Sequence, residues 1–435
     1  MAPRPLRFCM LTTFYPPWSF GGDAIHVERL AHALAGQGHE VTVVHSLEAF
    51  RTLARRPPGA TPGATPAAAL DGAPGAARGV KVVPVDAGAG ALSPLAVYLT
   101  GRPLLTRRQI ARALDDEFDV LHFHNPSLLG GPGVLRMGSA LKLYSIHEQW
   151  LLCPTHVLWR YRRELCDAPH CLRCTLSYHR PPQPWRRGDL LPRALAGLDA
   201  LVAPSRSTIR LHARYAPLVR IEHLRPFVPD DSASDLPPYR HRRPYFLYVG
   251  RLEPIKGVDT LIGAFRRRRE QDLLVVGSGS LAARLRAMAA DLPNVHFLGW
   301  QGPGRLGALY RGALAVVVPT RGYENFPQVV LEAFARATPA VVFRLGALEE
   351  VAEESGAALV YGSDGELDAA LDTIAGDPPL RTALGARGQA AFRARWTTPA
   401  FLDRYLRLIA DLASARGSGE LAAAAAAWAA RTEAP

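Results

Sequence analysis

Short apolar runs alternate with amphipathic stretches along most of the chain, the rhythm of a parallel sheet covered by helices. In the first half Leu6 to Thr13 (LRFCMLTT) reads as a buried strand, with Cys9 in the core. Residues 24–37 follow as a helix, with Ile25, Leu30, Ala33 and Leu34 near helical spacing and Gly38 ending it. VTVVHS, VKVVPV, DVLHFHN and LKLYSIH read as further strands, and 190–213 as one or two helices around the strand LDALVAPS. The stretch from about 51 to 79 interrupts this rhythm. It is rich in Ala, Pro and Gly without apolar periodicity, which predicts a flexible surface loop.

A polar, Pro-rich segment at 229–244 has the composition of a linker, and the rhythm restarts after it. PYFLYVG, DLLVVGSG, VHFLGW, LAVVVPT and AVVFR alternate with the helical stretches VDTLIGAFRRR, SLAARLRAMAA, RLGALYRGA and 328–337. Residues 381–412 read as two helices interrupted at Thr398–Pro399, and Arg266–Arg269 as a solvated face. The expected organisation is a first domain at 1–228, the linker at 229–244 and a second domain at 245–395. A helix at 396–412 then crosses back onto the first domain near Trp396, and the Ala-rich tail 413–435 carries no site. The fold class is α/β: two facing, Rossmann-like, doubly wound domains, with ligands expected in the inter-domain cleft beyond the carboxyl ends of the strands.

Composition narrows this only modestly. A chain of 435 residues with 48% hydrophobic and 21% charged residues suits two globular domains. No apolar run reaches the eighteen or so residues of a spanning helix, and the N-terminal stretch lacks the pattern of a secretory signal, so a cytoplasmic location is expected. The 51 Lys and Arg against 39 Asp and Glu give a net charge of +12, which attracts anions such as nucleoside diphosphates or anionic lipid heads. No nucleic-acid-binding motif accompanies that charge, so no nucleic-acid partner is expected.

Three elements carry candidate chemistry, each at the end of a strand. In GRLEPIKG (Gly250–Gly257) the glycines let backbone amides approach an anion. Arg251 and Lys256 can meet two phosphates, one as a planar fork and the other as a point charge. The turn Gly277–Ser278–Gly279 is a second phosphate or nucleobase contact, or simply a tight strand-to-helix turn. Glu324 and Glu332, with seven residues between them in ENFPQVVLE, project from a loop and a helix start. Such carboxylates accept hydrogen bonds from sugar hydroxyls, act as a glycosidase pair, or lie exposed on a helix.

Taken together, GRLEPIKGVDTLI, LLVVGSGS, VHFLGW and ENFPQVVLEAFARATPAVV resemble the retaining GT-B glycosyltransferases of family 4, also called the glycosyltransferase group 1 superfamily. The resemblance covers nearly all of 245–361 and is weaker in the first half. It implies transfer of a hexose-type sugar from a nucleotide diphosphate donor to an acceptor hydroxyl with retention. By that resemblance Arg251 and Lys256 bind the diphosphate, Glu332 the ribose and Glu324 the transferred sugar, and Gly277 and Gly279 lie near the nucleotide with Phe326 on the donor side. Gly21 and Gly22, in YPPWSFGGDAIHV, line the cleft. His147 touches the donor sugar and positions it, and Ser205 serves as a turn or cap. Asp23 and Ala24 stand where the family often has a glutamate, and the family's Gly-Gly turn is reduced to Leu345–Gly346. No DxD signature is present, in keeping with phosphate neutralised by Arg and Lys, so no catalytic cofactor is expected. The alternatives are a nucleotide-sugar epimerase, a phosphorylase, or a nucleotide-sugar-binding protein without turnover.

Four further features remain. Cys153, Cys166, Cys171 and Cys174 cluster within an insert at 150–187, which admits either a structural zinc or reduced thiols. His122 and His124 lie on one face of a strand; His122 reads as structural and His124 stays open. The insert leaves the chain after His147 and so overhangs the acceptor side, where a glycan, glycolipid or small-molecule acceptor is expected. Its arginines, with Trp150, Trp159 and Trp185, suit a membrane surface, although tryptophans are more often core.

Overall fold

The computed structural model describes residues 3–54, 79–168, 170–230 and 237–432. Most of the expected loop at 51–79 lies outside these residues. Its first four positions, 51–54, instead complete the helix Leu47–Ala54, which buries Ala49 and Phe50.

The first sheet contains β1 (Arg7–Thr12), β2 (Glu40–Ser46), β3 (Val80–Val85), β4 (Val120–Asn125) and β5 (Leu141–Ser145). A short antiparallel hairpin, β6 (Trp159–Arg160) and β7 (Glu164–Leu165), stands apart in the cysteine insert, and β8 (Ala200–Ala203) and β9 (Ile221–His223) complete the sheet. Its seven strands run in the order β3-β2-β1-β4-β5-β8-β9, all parallel. The second sheet comprises β10 (Tyr245–Val249), β11 (Asp272–Val276), β12 (Val295–Gly299), β13 (Val316–Val318), β14 (Ala340–Phe343) and β15 (Ala358–Tyr361), ordered β12-β11-β10-β13-β14-β15 and also parallel. In both sheets the order reverses beside the first strand, so each carries a crevice at the carboxyl ends of β1/β4 and β10/β13. Both faces of each sheet are covered, which is why the strands read as continuous apolar runs rather than alternating ones.

The helix Gly22–Gly36 turns Val27, Leu30, Ala31 and Leu34 inward. Ile25, expected on that face, is 41% exposed because it lies roughly 140° around the helix from Leu30. Arg266–Arg269 is not a uniformly solvated face: Arg268 is buried and paired with Asp372 and Asp368. The helix Thr398–Ala415 sends Phe401, Leu402, Tyr405 and Ile409 into the core beneath the first sheet. Val228, where the chain leaves the first domain, donates its N–H to Trp396 O at 3.0 Å, so the outward and return crossings are adjacent. The Ala-rich tail folds as the helix Gly419–Thr432, burying Leu421, Ala425 and Trp428 against that core. Alanine has the strongest intrinsic helix preference, so the composition that looked low in complexity is that of a packed helix.

Candidate active site

The domains enclose a cleft of about 620 Å³ lined by Gly21, Gly22 and His147 from the first domain and by Arg251, Lys256, Glu324 and Phe326 from the second. These are seven of the residues singled out from sequence. Gly21 takes φ +89° ahead of the helix Gly22–Gly36, a conformation that suits glycine, and a Cβ on Gly22 would stand 3.6 Å from Gln328 Oε1 across the cleft. Lys256 sits in the 3-10 turn Pro254–Lys256, ended by Gly257 at φ +67°. A Cβ on Gly257 would lie 2.1 Å from Pro319 O, so only glycine lets this loop approach the end of β13. The turn aims Lys256 Nζ at Glu324 Oε1, and the two form an ion pair with both side chains about one-fifth exposed. Arg251 is exposed at the cleft wall.

Gly277, Gly279 and Glu332 do not line this cleft. Gly277 (φ +132°) and Gly279 pack behind the Gly250–Leu252 loop: added Cβ atoms would fall 1.9 Å from Gly250 O and 2.5 Å from Leu252 O. Gly250 N–H donates to Val276 O at 3.0 Å and Leu252 N–H to Ser278 O at 2.8 Å, so this turn buttresses the loop that carries Arg251. Glu332 accepts a hydrogen bond from Tyr310 OH at 2.8 Å and pairs at 3.5 Å with Arg29, which belongs to the first domain. Nothing in the pattern of residues around Arg29 marks this role.

A buried histidine cluster backs the first-domain wall, to which His26 and His147 contribute directly. His122 bridges Ser145 Oγ and Tyr405 OH, each at 2.8 Å, which ties the returning helix to the sheet and confirms its structural reading. His124 Nδ1 lies 2.9 Å from His147 Nε2, and the His26 ring sits 5.2 Å from that of His147. Burial pushes His147 down to about 4 and His122 to about 3. It also holds His26 and His124 well below the ordinary imidazole range, with the neighbouring imidazoles adding to the effect. The cluster is therefore neutral near pH 7, and His147 offers an uncharged hydrogen-bonding edge to the cleft. Asp23, also in the wall, is pushed up to about 6 by burial and by Glu148, and accepts a hydrogen bond from Asn125 at 2.9 Å. His26 occurs one turn along an apolar helix face, which hides it from pattern reading.

Further ties join the domains. Gln149 donates to Asn325 Oδ1 at the cleft. On the far side, Glu350 accepts from Arg206 N at 2.8 Å and Ser207 N at 3.0 Å, a carboxylate placed on the N-terminus of the helix Arg206–His212. Arg225 forks onto Glu354 at 2.9 and 2.7 Å. Ser205 Oγ caps the same helix by accepting from Thr208 N at 3.1 Å.

The four insert cysteines are all free thiols. A tetrahedral zinc would hold its sulfurs about 3.8 Å apart. Among the described residues the only group of three or more metal-ligand side chains converging within 4.8 Å is His241, Asp272 and His296, so the thiols as placed do not fit such a site. The histidine–aspartate group lies at the amino ends of β11 and β12, away from the cleft, and Arg243 stands 3.5 Å from the same carboxylate. Trp150, Trp159 and Trp185 are buried, at 1%, 7% and 9% exposure, and present nothing to a membrane. No helix among the described residues is long and apolar enough to cross one.

Two Rossmann-like domains closing on a cleft with paired charges define the GT-B class. Residues 20–232 match Glycosyltransferase Family 4, and residues 236–391 match Glycosyl transferases group 1. The chain belongs to this glycosyltransferase family. A D-inositol 3-phosphate glycosyltransferase of Kineococcus radiotolerans is 35% identical over 203 residues, 40% of this chain and 46% of that protein. A GDP-mannose-dependent monoacylated alpha-(1-6)-phosphatidylinositol monomannoside mannosyltransferase of Corynebacterium glutamicum is 30% identical over 205 residues, 44% and 54% of the two chains. The chain thus spans about half the length of the curated relatives it matches. Sucrose-phosphate synthase from Thermosynechococcus elongatus shares the fold with a TM-score of 0.69 at 18% identity, covering 94% of this chain and 100% of that one.

Proposed function

We propose that this chain transfers a hexose-type sugar from a nucleoside diphosphate donor to an acceptor hydroxyl, with retention of configuration and without a metal cofactor. The observation that carries the reading is the convergence of Lys256, Arg251 and Glu324 on the wall facing Gly21, Gly22 and His147. Lys256 and Arg251 neutralise the diphosphate as it leaves, and a fixed cation beside developing charge lowers the barrier. Glu324 accepts hydrogen bonds from sugar hydroxyls, and neutral His147 orients the sugar. The acceptor hydroxyl attacks on the face the diphosphate leaves, and a phosphate oxygen takes its proton. That the Corynebacterium relative is named as GDP-mannose-dependent and as acting on a phosphatidylinositol mannoside supports a nucleotide-sugar donor and a glycolipid among the acceptor classes. The reaction is assigned to the cytoplasm, with the protein peripheral to the inner membrane face.

A thermal-shift screen of nucleoside diphosphates tests the donor, since a ligand that binds only the folded state raises the melting temperature. Transfer from the matching sugar nucleotide, with NMR of the anomeric proton in the product, tests retention. No shift with any nucleoside diphosphate, or an inverted product, refutes the reading.

A further inference from the structure

The second domain carries a group of metal-ligand side chains that the transfer chemistry does not use. His241 Nε2 lies 2.7 Å and His296 Nε2 3.0 Å from one oxygen, Oδ2 of Asp272, and the three ligand atoms stand within 4.8 Å of one another. The fold sets this up. Asp272 opens β11, and Leu274, two positions on, shares its face of the sheet. His296 on β12 is the register partner of Leu274, so the carboxylate and the imidazole project on the same side. His241 comes from the segment 237–244 that enters the second domain, and Asp272 N–H donates to Pro244 O in that segment at 2.9 Å. The rings of Tyr239, stacked at 6.1 Å, and Tyr245, edge-on at 5.7 Å, pack against the His241 ring.

Asp272 is 4% exposed, and among the described residues its Oδ1 has no hydrogen-bond partner. A buried carboxylate oxygen left unbonded calls for a counter-charge. Arg243 supplies part of it: its Nη1 stands 3.5 Å from Oδ1 while donating to Arg269 O at 2.8 Å. The guanidinium thus steadies the oxygen that faces away from the imidazoles, the support that ligating carboxylates receive. Two imidazoles and one carboxylate are a donor set for zinc and its neighbours, whereas calcium and magnesium take oxygens. Metal–ligand bonds of about 2.1 Å place three tetrahedral ligand atoms about 3.4 Å apart, so each imidazole withdraws from Oδ2 by only about half an ångström to admit an ion. The partly exposed His296 leaves the fourth position open to water. Arg240 and Arg242 flank His241, and this positive charge holds the affinity below that of a closed thiolate site.

We propose that His241, Asp272 and His296 bind one divalent ion of the zinc class, which clamps the connecting segment 237–244 to the second sheet. None of the three lines the cleft, and the inference does not rest on the glycosyl-transfer reading. Titration of the chelator-stripped full chain with Zn²⁺ is expected to give a dissociation constant of about 10 µM or tighter. Zn²⁺ is expected to raise the melting temperature, since the ion binds only where the three ligands are brought together. His241→Gln and His296→Gln each weaken zinc binding about tenfold or more. A glutamine amide still donates to Oδ2, so the melting temperature of each variant without metal stays near that of the parent. Titration with Co²⁺ separates this site from the insert thiols, because imidazole and carboxylate ligands lack the intense sulfur-to-cobalt charge-transfer absorption of thiolates. The clamp has a readout of its own. Arg240 and Arg242 are exposed beside His241, and Zn²⁺ is expected to slow tryptic cleavage there severalfold in the parent and not in His296→Gln.

A dissociation constant above about 0.1 mM, or zinc binding that both variants keep, overturns the site. Cobalt binding that shows only the thiolate absorption also overturns it, because the metal then sits on the insert cysteines. Zinc binding that both variants lose, but that leaves tryptic cleavage of the parent unchanged, overturns the clamp.

Discussion

Replacing Lys256 with Met removes one charge from the cleft while keeping the length of the side chain. Its effect depends on whether Glu324 stays bonded to it. At an effective dielectric of 20, a full charge 4 Å from a leaving phosphate oxygen is worth about 4 kcal/mol. Glu324 is the direct partner of that ammonium, and both are about one-fifth exposed. If the carboxylate remains paired at about 6 Å from the same oxygen it opposes by about 3 kcal/mol, leaving little more than 1 kcal/mol, or roughly tenfold in rate. If donor hydroxyls draw Glu324 away, the full cation acts, and the loss resembles that of an oxyanion donor, about 10²–10³-fold. Steady-state transfer by Lys256→Met therefore reads out the pairing. A fall in kcat/KM above about 10²-fold means the pair opens in the transition state. Glu324→Gln separates the two cases from the other side. With the pair kept, it frees the ammonium and tightens nucleoside diphosphate binding; with the pair opened, it lowers kcat and leaves that binding alone. A Lys256→Met enzyme within threefold of the parent refutes the diphosphate role.

Further consequences follow from the same geometry. Gly277→Ala forces a Cβ against Gly250 O, at 1.9 Å, on a backbone at φ +132°. It is expected to lower the melting temperature and to weaken nucleoside diphosphate binding at least tenfold by displacing the Arg251 loop; unchanged calorimetric affinity would contradict the buttress role. Arg29→Ala frees Glu332 from its cross-domain partner and is expected to tighten nucleoside diphosphate binding severalfold while costing about 1 kcal/mol of stability, as for a partly exposed pair; weaker binding measured by titration would mean that Arg29 itself contacts the ligand. The buried histidines predict acid lability. Their folded pKa values lie below the ordinary 6.5, so their contribution is complete above that pH and is lost as pH falls through 6.5 toward about 4, the value for His147. Asp23, raised to about 6, acts oppositely: its contribution is present below about pH 4 and lost as pH rises through 6. Four imidazoles outweigh one carboxyl, so the melting temperature is expected to fall between pH 6.5 and 4, and more steeply in Asp23→Asn; a flat profile in calorimetry would contradict the assignment.

The strands and the order of the helices were legible because parallel strands covered on both faces leave uninterrupted apolar runs such as FCMLT and LLVV. The cleft residues were legible where a strand-end loop concentrates charge and glycine, as in GRLEPIKG. What escaped was anything decided by a partner distant in sequence. Arg29, one polar residue among many on its helix, acquires meaning only through Glu332, and His26 only through His147, which is 121 positions away. The glycines at 277 and 279, expected near the nucleotide, instead pack against the backbone of the neighbouring loop. The tryptophans of the insert, which by type suited a membrane surface, turn inward into the core, and the leucines beside them face solvent.

The ties between the domains fall into two groups with different consequences. Near the crossings, Val228 bonds Trp396, Arg225 forks onto Glu354, and Glu350 meets the N-terminus of the helix Arg206–His212, all within short reach of the two connections. The other ties are Gln149 with Asn325 at the cleft and Arg29 with Glu332 outside its lining. Polar interfaces of this kind favour relative domain motion. On the transfer reading the first group is expected to act as the hinge and the second as the latch. A donor that engages Glu332 must displace Arg29, so on this scheme part of its binding energy offsets the broken ion pair and the affinity for nucleoside diphosphate stays moderate.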